Sequence, residues 1–275
     1  MEKPVLKGKR HLMIRRDFHT HTTYCDGRST AEEMVQAAIA RGMDCIGFSG
    51  HALTTFDTEW CMSLEGMQAY TAEISCLKDK YAGRIRILCG AEWDFYSDGP
   101  EDGIEYKIGS AHYIEKDGVR TNIDESPEKL KRLCQEWFDG DFYALAEGYY
   151  ANVGAVLERT GADIIGHFDL ITKFNEGYAL FDETHPRYRA AWQQAADRLL
   201  TYGKPFEINT GAMSRGWRTA PYPSAEIMEY IAARGGHFIL SSDSHSTGSL
   251  LYGFEEWEKY CREQGYVLLD CLHRI

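Results

Sequence analysis

Short apolar runs alternate with longer stretches of helical spacing along the whole chain. The apolar runs predict strands at residues 14–21, 44–48, 85–89, 107–111, 162–166, 205–209 and 237–240. The stretches between them predict helices at about 29–42, 64–81, 126–138, 142–159, 186–202, 224–233 and 255–264, and an apolar segment follows the last helix. Strand–helix units that follow one another in this way predict a parallel sheet covered by helices.

The positions of the polar residues decide between two arrangements of such a sheet. Most of the side chains that could carry chemistry follow directly after a predicted strand. In a closed α/β barrel these strand ends converge on one rim, whereas an open doubly wound sheet would spread them along a line. We therefore expect an α/β barrel. Repeats, low-complexity tracts and linkers are absent from the sequence, so residues 1–275 are expected to form one domain.

The first predicted strand carries the strongest chemical signal. Side chains alternate across a strand, so Asp17, His19 and His21 should project to one side. Two imidazoles on one side can reach one metal ion, although one of them could instead bond a loop carbonyl. The same pattern recurs near the other end of the chain, where Asp243 and His245 share a face after another apolar run. Two such pairs indicate a shared metal centre.

Further candidate ligands stand at the other strand ends. His51, His112 and His167 each follow a predicted strand, which favours metal ligation over hydrogen bonds to the backbone. Glu92 follows an almost wholly apolar strand, and its carboxylate can bridge two cations; a structural salt bridge is the alternative.

Two aspartates near the first strand each have a second interpretation. Asp26 precedes Gly27 in a loop, where it is a metal ligand or the first residue of an Asx turn. Asp17 lies one step deeper than His19 and either holds an imidazole as a partner of the ligand or makes a core hydrogen bond. The remaining histidines are expected to be structural or exposed: His11, His185, His237 and His273.

Composition narrows the classes of partner. The chain has 30 Lys and Arg residues against 42 Asp and Glu residues, a formal net charge of −12. This balance argues against binding of long nucleic acids, which requires clustered basic residues. Bound cations would neutralise part of the negative charge. The sequence has no apolar run long enough to span a membrane.

Cysteine usage and the N-terminal residues indicate a compartment. The eight cysteines are scattered, with no C-x-x-C pair, so a zinc knuckle or a thioredoxin-like motif is not expected. The basic residues at the N-terminus are not followed by an apolar segment of the length that a signal peptide needs. We therefore expect a cytoplasmic protein.

The ordered set of motifs resembles the PHP (polymerase and histidinol phosphatase) superfamily. The resemblance extends over nearly the whole chain and rests on Asp17-Phe18-His19-Thr20-His21, Asp26-Gly27, Ser49-Gly50-His51, Gly90-Ala91-Glu92, Ser110-Ala111-His112, Gly166-His167-Phe168-Asp169 and Asp243-Ser244-His245. It implies a distorted (β/α)7 barrel, similar to a TIM barrel, that holds up to three divalent metal ions, usually zinc, iron or manganese. The amidohydrolase barrels also begin with His-x-His, but they usually place a modified lysine after the fourth strand, where this chain has His112.

The resemblance also implies how the ligands divide among the metals. One ion would take His19, His21, Glu92 and Asp243. A second would take Glu92, His112 and His167, and a third would take Asp26, His51 and His245.

Within the superfamily, the length and the segment from Phe206 to Ser224 resemble the stand-alone histidinol phosphatases. That resemblance implies a basic residue on the substrate phosphate. Arg215 is the first choice and Arg218 the second, because the local spacing departs by about one residue from the family pattern. Lys173 lies in a loop where another phosphate-binding base is expected. For each of them a solvated surface charge is the alternative.

The implied reaction is hydrolysis of L-histidinol phosphate, a small phosphomonoester, to L-histidinol and phosphate. A metal-activated hydroxide would attack phosphorus, so no protein nucleophile is assigned. The rim loops offer Trp93, Tyr96, Glu147 and Trp217 for the imidazole and amine of the substrate. A PHP phosphoesterase acting on nucleotides or short oligonucleotides is the alternative enzyme, and a non-catalytic PHP module is the alternative of another class.

Overall fold

One curled sheet of eight parallel strands organises the computed structural model, which describes residues 14–272. The strands of the described chain are β1 (Arg16–Asp17), β2 (Cys45–Phe48), β3 (Arg86–Asp94), β4 (Tyr106–Ser110), β5 (Tyr113–Lys116), β6 (Val119–Asn122), β7 (Ile164–Ile165), β8 (Phe206–Asn209), β9 (Phe238–Ser241) and β10 (Leu268–Leu269). Strands β5 and β6 form a separate antiparallel hairpin, and the other eight follow the order β1-β2-β3-β4-β7-β8-β9-β10.

The sheet curls so far that the segment after β1 bonds to the segment after β9. Beyond β1 the backbone N–H of His21 donates to the carbonyl oxygen of Ser244 at 2.8 Å, and the N–H of Ser244 donates to that of His19 at 3.2 Å. Strand β10 pairs with the start of β9, from Leu268 opposite Phe238. The expected α/β barrel is confirmed as a distorted one. Seven strands surround its interior, and β10 adds an eighth beside β9.

Helices cover the outside of the sheet. The α-helices of the described chain are α1 (Ala31–Ala40), α2 (Leu64–Lys80), α3 (Pro127–Phe138), α4 (Phe142–Thr160), α5 (Asn175–Tyr178), α6 (Pro186–Leu200), α7 (Gly211–Ser214), α8 (Ala225–Ala232) and α9 (Phe254–Gln264). The seven longer helices confirm the seven predicted ones. Their starts follow from capping residues: α1 has a capping box of Thr30 and Glu33, and Asp141 caps α4. Within residues 14–272, none of the helices has the length and apolar content needed to cross a bilayer.

Three elements differ from the sequence prediction. The first strand is only Arg16–Asp17, because Thr20 makes a single bridge to Ser244 instead of a continuous ladder. Strand β3 runs on to Asp94 through its pairing with β4, so Glu92 lies inside the strand and not after it. The hairpin of β5 and β6 was not predicted, although Asp117-Gly118, both at positive φ, is a sequence signal for a tight hairpin turn.

The lower half of the barrel interior is filled with apolar side chains. Phe18, Tyr106, Ile108, Ile164 and Ile239 belong to one buried cluster. The hydroxyl of Tyr106 donates to the carbonyl oxygens of Phe18 at 2.5 Å and of Phe48 at 3.0 Å. A Cβ atom at residue 90 would lie 2.3 Å from the Tyr106 ring, so only glycine fits at Gly90. This packed interior leaves the opposite strand ends for polar side chains.

Candidate metal centre and active site

The nine side chains predicted as metal ligands meet at one rim of the barrel. Strand ends and the loops that follow them bring the nine together: His19, His21, Asp26, His51, Glu92, His112, His167, Asp243 and His245. Three groups have ligand atoms within 4.8 Å of one another: His21, Asp26, His51 and His245; His19, His21 and Asp243; and His51, Glu92 and His112.

Glu92 lies at the centre of the cluster and points its two carboxylate oxygens in different directions. Oε2 is 3.1 Å from His19 Nε2 and 3.1 Å from His51 Nδ1. Oε1 is 2.7 Å from His167 Nε2 and 3.3 Å from His112 Nε2. A carboxylate that faces separate sets of imidazoles in this way can bridge two cations.

Asp26 and Asp243 frame the other side of the cluster. Asp26 Oδ2 is 2.8 Å from His245 Nε2, and its Oδ1 is 3.3 Å from His21 Nδ1 and 3.7 Å from His51 Nε2. Asp243 Oδ1 is 3.2 Å from His21 Nε2. The backbone of Asp243 has φ = 48°. This conformation is uncommon for a residue other than glycine, and such residues concentrate at functional sites.

Buried atoms without hydrogen-bond partners test whether the cluster fits a metal. Within the part of the chain that the structure describes, His21 Nε2 and Asp26 Oδ1 are buried and have no hydrogen-bond partner. Buried polar atoms are normally satisfied, and both of these atoms point at other candidate ligands. Mixed imidazole and carboxylate donors suit zinc, iron and manganese. The residues present therefore fit divalent metal ions.

The charges of the cluster depend on one another. Burial alone would lower the pKa of His19, but Glu207 and Glu92 outweigh it and raise this pKa well above its usual range. Burial alone would likewise raise the pKa of Glu92, and the surrounding histidines hold it well below its usual range. Burial lowers the pKa of His51 to about 4. Against the effect of burial, neighbouring histidines hold the pKa of Asp26 below its usual range, and Arg215 and His19 do the same for Asp243. The three carboxylates therefore favour the ionised form, which binds cations.

Sequence reasoning missed the residue that holds the ring of His19. Glu207 is fully buried on β8, and its Oε1 lies 2.7 Å from His19 Nδ1. Its Oε2 accepts from the backbone N–H of His167 at 3.0 Å and from Asn209 Nδ2 at 3.2 Å. Glu207 thus fixes the orientation of one candidate ligand and the backbone of another. The sequence signal was a charged residue inside an apolar strand, on the same face of the strand as Asn209.

Asp17 makes the core hydrogen bonds that were its alternative role. Its Oδ1 accepts from the backbone N–H groups of His19 and Ser242, both at 3.2 Å, and its Oδ2 accepts from the Ser242 hydroxyl. It does not hold an imidazole ring in the described structure.

Asp94, which was not predicted, accepts from the backbone N–H of His112 at 2.6 Å and lies 3.3 Å from its Nδ1.

A cavity of about 550 Å³ opens over the cluster, a volume typical of small-molecule sites. Lys173 and Arg215 both line it. Lys173 Nζ donates to the backbone oxygen of Asp124 at 2.7 Å and to its Oδ2 at 3.0 Å. Arg215 Nη2 donates to Asp243 Oδ2 at 2.9 Å. The predicted phosphate-binding bases therefore stand beside the cluster, each next to a carboxylate.

The placement of Arg218 does not support its predicted contact with phosphate. It is 8% exposed and is not among the cavity-lining residues of the described chain. Its Nη1 donates to the Thr172 hydroxyl and lies 3.7 Å from Asp169 Oδ2. These contacts give Arg218 a structural role. Arg28, which sequence reasoning missed, lines the cavity in the loop after Asp26.

Of the four side chains suggested for the non-reacting end of the substrate, only Trp217 lines the cavity. Trp93 is buried in the apolar core beside α2, and Tyr96 is bonded to Asn152. Glu147 is on the outer surface of α4, where it pairs with Arg187. The suggestions for Trp93, Tyr96 and Glu147 were therefore wrong. Trp93 lies inside β3 and Glu147 inside α4, so neither belongs to a rim loop.

The other histidines lie away from the cluster. His237 is exposed at the start of β9. His185 caps α6, where its Nδ1 accepts from the Arg187 backbone N–H at 3.2 Å, and its ring stacks on Tyr143. His11 and His273 lie outside the described residues.

Comparison with known proteins identifies the family of this chain and several of its relatives. The family model described as the PHP domain matches residues 17–211. The "Probable histidinol-phosphatase" of Deinococcus radiodurans is 30% identical over 273 residues, which cover 94% of this chain and 96% of the relative. A protein of the same name from Schizosaccharomyces pombe is 28% identical and matches 93% of this chain and 89% of its own length.

A solved structure shares the fold. The histidinol phosphate phosphatase of Lactococcus lactis, crystallised with zinc, L-histidinol and phosphate, superposes with a TM-score of 0.71 at 18% identity. The match covers 93% of this chain and 95% of that one.

Proposed function

Because this chain belongs to the PHP domain family, we propose that it is a histidinol-phosphatase: a metal-dependent phosphomonoesterase that hydrolyses L-histidinol phosphate to L-histidinol and phosphate. The observation that carries the proposal is the cluster of nine candidate ligands around Glu92, seven of which line the same cavity as Lys173 and Arg215. The curated relatives named histidinol-phosphatase support the choice of substrate.

The proposed metal site holds up to three divalent ions of zinc, iron or manganese. His19, His21, Glu92 and Asp243 would hold the first ion, Glu92, His112 and His167 the second, and Asp26, His51 and His245 the third. The different directions of the two Glu92 oxygens support the sharing of this residue between the first and second ions.

Each part of the site has a task in the proposed reaction. Divalent cations bound there would activate water for attack on phosphorus and stabilise negative charge on the phosphoryl oxygens. Arg215 and Lys173 would add hydrogen bonds to those oxygens, since both line the cavity beside the cluster. Glu207 and Asp94 orient His19 and His112. The chain needs no serine or cysteine nucleophile for this chemistry.

Two further proposals concern the domain organisation and the cellular location of the protein. We propose that residues 1–275 form a single catalytic domain, because one sheet continues from β1 to β10. We also propose a cytoplasmic location. Cys25, Cys45, Cys61, Cys76, Cys89, Cys134 and Cys261 are free thiols in the described chain, as is usual in a reducing compartment.

Phosphate release from a panel of substrates tests the proposed activity. The panel contains L-histidinol phosphate, p-nitrophenyl phosphate, nucleoside monophosphates, nucleoside 3′,5′-bisphosphates and a short oligonucleotide. We expect kcat/KM for histidinol phosphate to exceed that for p-nitrophenyl phosphate by about 10²-fold or more, because groups remote from phosphorus contribute binding energy. A preference for any nucleotide would overturn the proposed substrate and leave the metal site standing.

The substitution Arg215→Ala tests phosphate recognition. We expect kcat/KM to fall about 10²-fold, the effect of losing a charge-assisted hydrogen bond to phosphate in a water-poor site. Steady-state kinetics with histidinol phosphate measure the change.

Metal analysis of the same variant separates two roles of Arg215. Its guanidinium also bonds Asp243, so a loss of metal in proportion to activity would show that it only orients this carboxylate. Arg189→Ala is the matched control, because it removes a half-buried arginine that pairs with Glu226 outside the cavity. This control should retain the kinetics and the metal content of the wild type.

A further inference from the structure

One wall of the main cavity is made of the hairpin β5–β6, the segment after it and the loop before α2. Trp60, Tyr113, Asn122 and Glu125 line this wall. The same four residues also line a second, adjoining cavity of about 350 Å³. The four residues therefore lie where the main cavity extends away from the candidate metal ligands. A substrate with its phosphate over those ligands would place its non-reacting end here.

Asn122 presents an unsatisfied acceptor on this wall. The residue is 7% exposed, and within residues 14–272 its Oδ1 has no hydrogen-bond partner. Its Nδ2 lies 3.3 Å from Glu125 Oε2. An ionised carboxylate can only accept, so this contact fixes the amide with its nitrogen towards Glu125 and its oxygen elsewhere. Buried acceptors are normally satisfied, so this oxygen is available to a donor from a bound molecule.

Glu125 is the carboxylate of the cavity that is least committed to other groups. Asp124 is bonded to Lys173, Asp243 to Arg215, and Asp94 to the backbone of His112. The partners of Glu125 are Asn122 and Lys129, and both bond the same oxygen, Oε2. The pair with Lys129 is partly exposed, and ion pairs near the surface are weak enough to be exchanged for another cation.

A buried acceptor beside an ionised carboxylate recognises a cation that donates several hydrogen bonds. We propose that Asn122 and Glu125 form a subsite for the ammonium group of the substrate, with Trp60 and Tyr113 providing aromatic surface for its ring. This inference rests on the proposed function, because L-histidinol phosphate carries an amine remote from phosphorus. Asn122 and Glu125 would then determine the preference for monoesters that bear an amine.

The test compares substrate pairs that differ only in the amine. L-histidinol phosphate is paired with 3-(imidazol-4-yl)propyl phosphate, and phosphoethanolamine is paired with ethyl phosphate. In the wild type, kcat/KM should be higher for the amine-bearing member of each pair. Glu125→Gln should lower this ratio about tenfold, mainly through KM, because a charge-assisted bond becomes a neutral one. Asn122→Leu should lower it in the same direction.

A matched control removes an equivalent charge outside the site. Glu128→Gln changes an exposed glutamate on α3 that lines neither cavity, and it should keep the wild-type ratio. An equal loss for both members of each pair in Glu125→Gln, or a wild type that does not discriminate within either pair, would overturn the subsite. A wild type that prefers phosphoethanolamine to ethyl phosphate but cleaves histidinol phosphate no better than p-nitrophenyl phosphate would overturn the proposed substrate alone.

Discussion

Replacing Glu92 by glutamine is expected to lower kcat/KM by about 10³-fold or more and to remove metal from the protein. The two oxygens of Glu92 face different imidazoles, Oε2 towards His19 and His51 and Oε1 towards His112 and His167. A carboxamide keeps the shape but has only one oxygen and no charge, so it cannot bridge two cations. Metal-ion stabilisation of the transition state is worth several kcal/mol, and about 1.4 kcal/mol corresponds to a factor of ten in rate.

Steady-state kinetics and elemental analysis of Glu92→Gln measure the two losses together. The isosteric change also limits structural damage, because the Ser110 hydroxyl that donates to Oε1 at 2.7 Å can still bond the amide oxygen. Glu258→Gln is the matched control. Glu258 is a buried carboxylate on α9 that accepts from Ile14 N–H and from Arg262, away from the cavity. A Glu92→Gln protein with full metal content and wild-type kinetics would contradict the bridging assignment.

Strand periodicity made most of the cluster predictable. His19 and His21 project to one side of an extended segment, and His51, His112 and His167 lie two or three residues beyond the ends of β2, β4 and β7. Because the C-terminal ends of parallel strands meet at one rim, residues far apart in sequence were expected to meet in space. The helices were predictable for a similar reason, since their caps and apolar spacing are local features of the sequence.

The contacts that could not be predicted join side chains whose directions depend on tertiary packing. Glu207 reaches the ring of His19, and Arg218 turns away from the cavity towards Asp169. Sequence spacing indicates which face of a strand a residue occupies, but not which neighbour its side chain meets. A position in a helix likewise does not fix which way the helix faces, which is why the suggestion for Glu147, on the outer surface of α4, was wrong. The Asp117-Gly118 hairpin is different, because its signal was local and was overlooked.

Removing metal with a chelator is expected to abolish phosphatase activity and to lower the thermal midpoint of unfolding. A ligand that binds only the folded state stabilises it by RT ln(1 + [L]/Kd), which is about 2.7 kcal/mol for one site at a hundredfold excess over Kd. For a chain of this size that corresponds to roughly 5–10 °C. Chelator saturated beforehand with zinc is the control for direct effects on the protein. An apoprotein below a tenth of a metal per chain with undiminished activity would contradict the proposed chemistry.

Titrating metal back into the apoprotein should reveal the number of sites, and we expect up to three ions per chain. The prediction depends on Asp26, because His51 approaches both Asp26 and Glu92 and could serve either site. If Asp26, His51 and His245 hold a separate ion, Asp26→Asn should lower the stoichiometry by one and leave the ions at Glu92 in place. A wild-type value of two, unchanged in Asp26→Asn, would instead assign His51 to the site at Glu92 and make Asp26 a hydrogen-bonding partner of His245, 2.8 Å away.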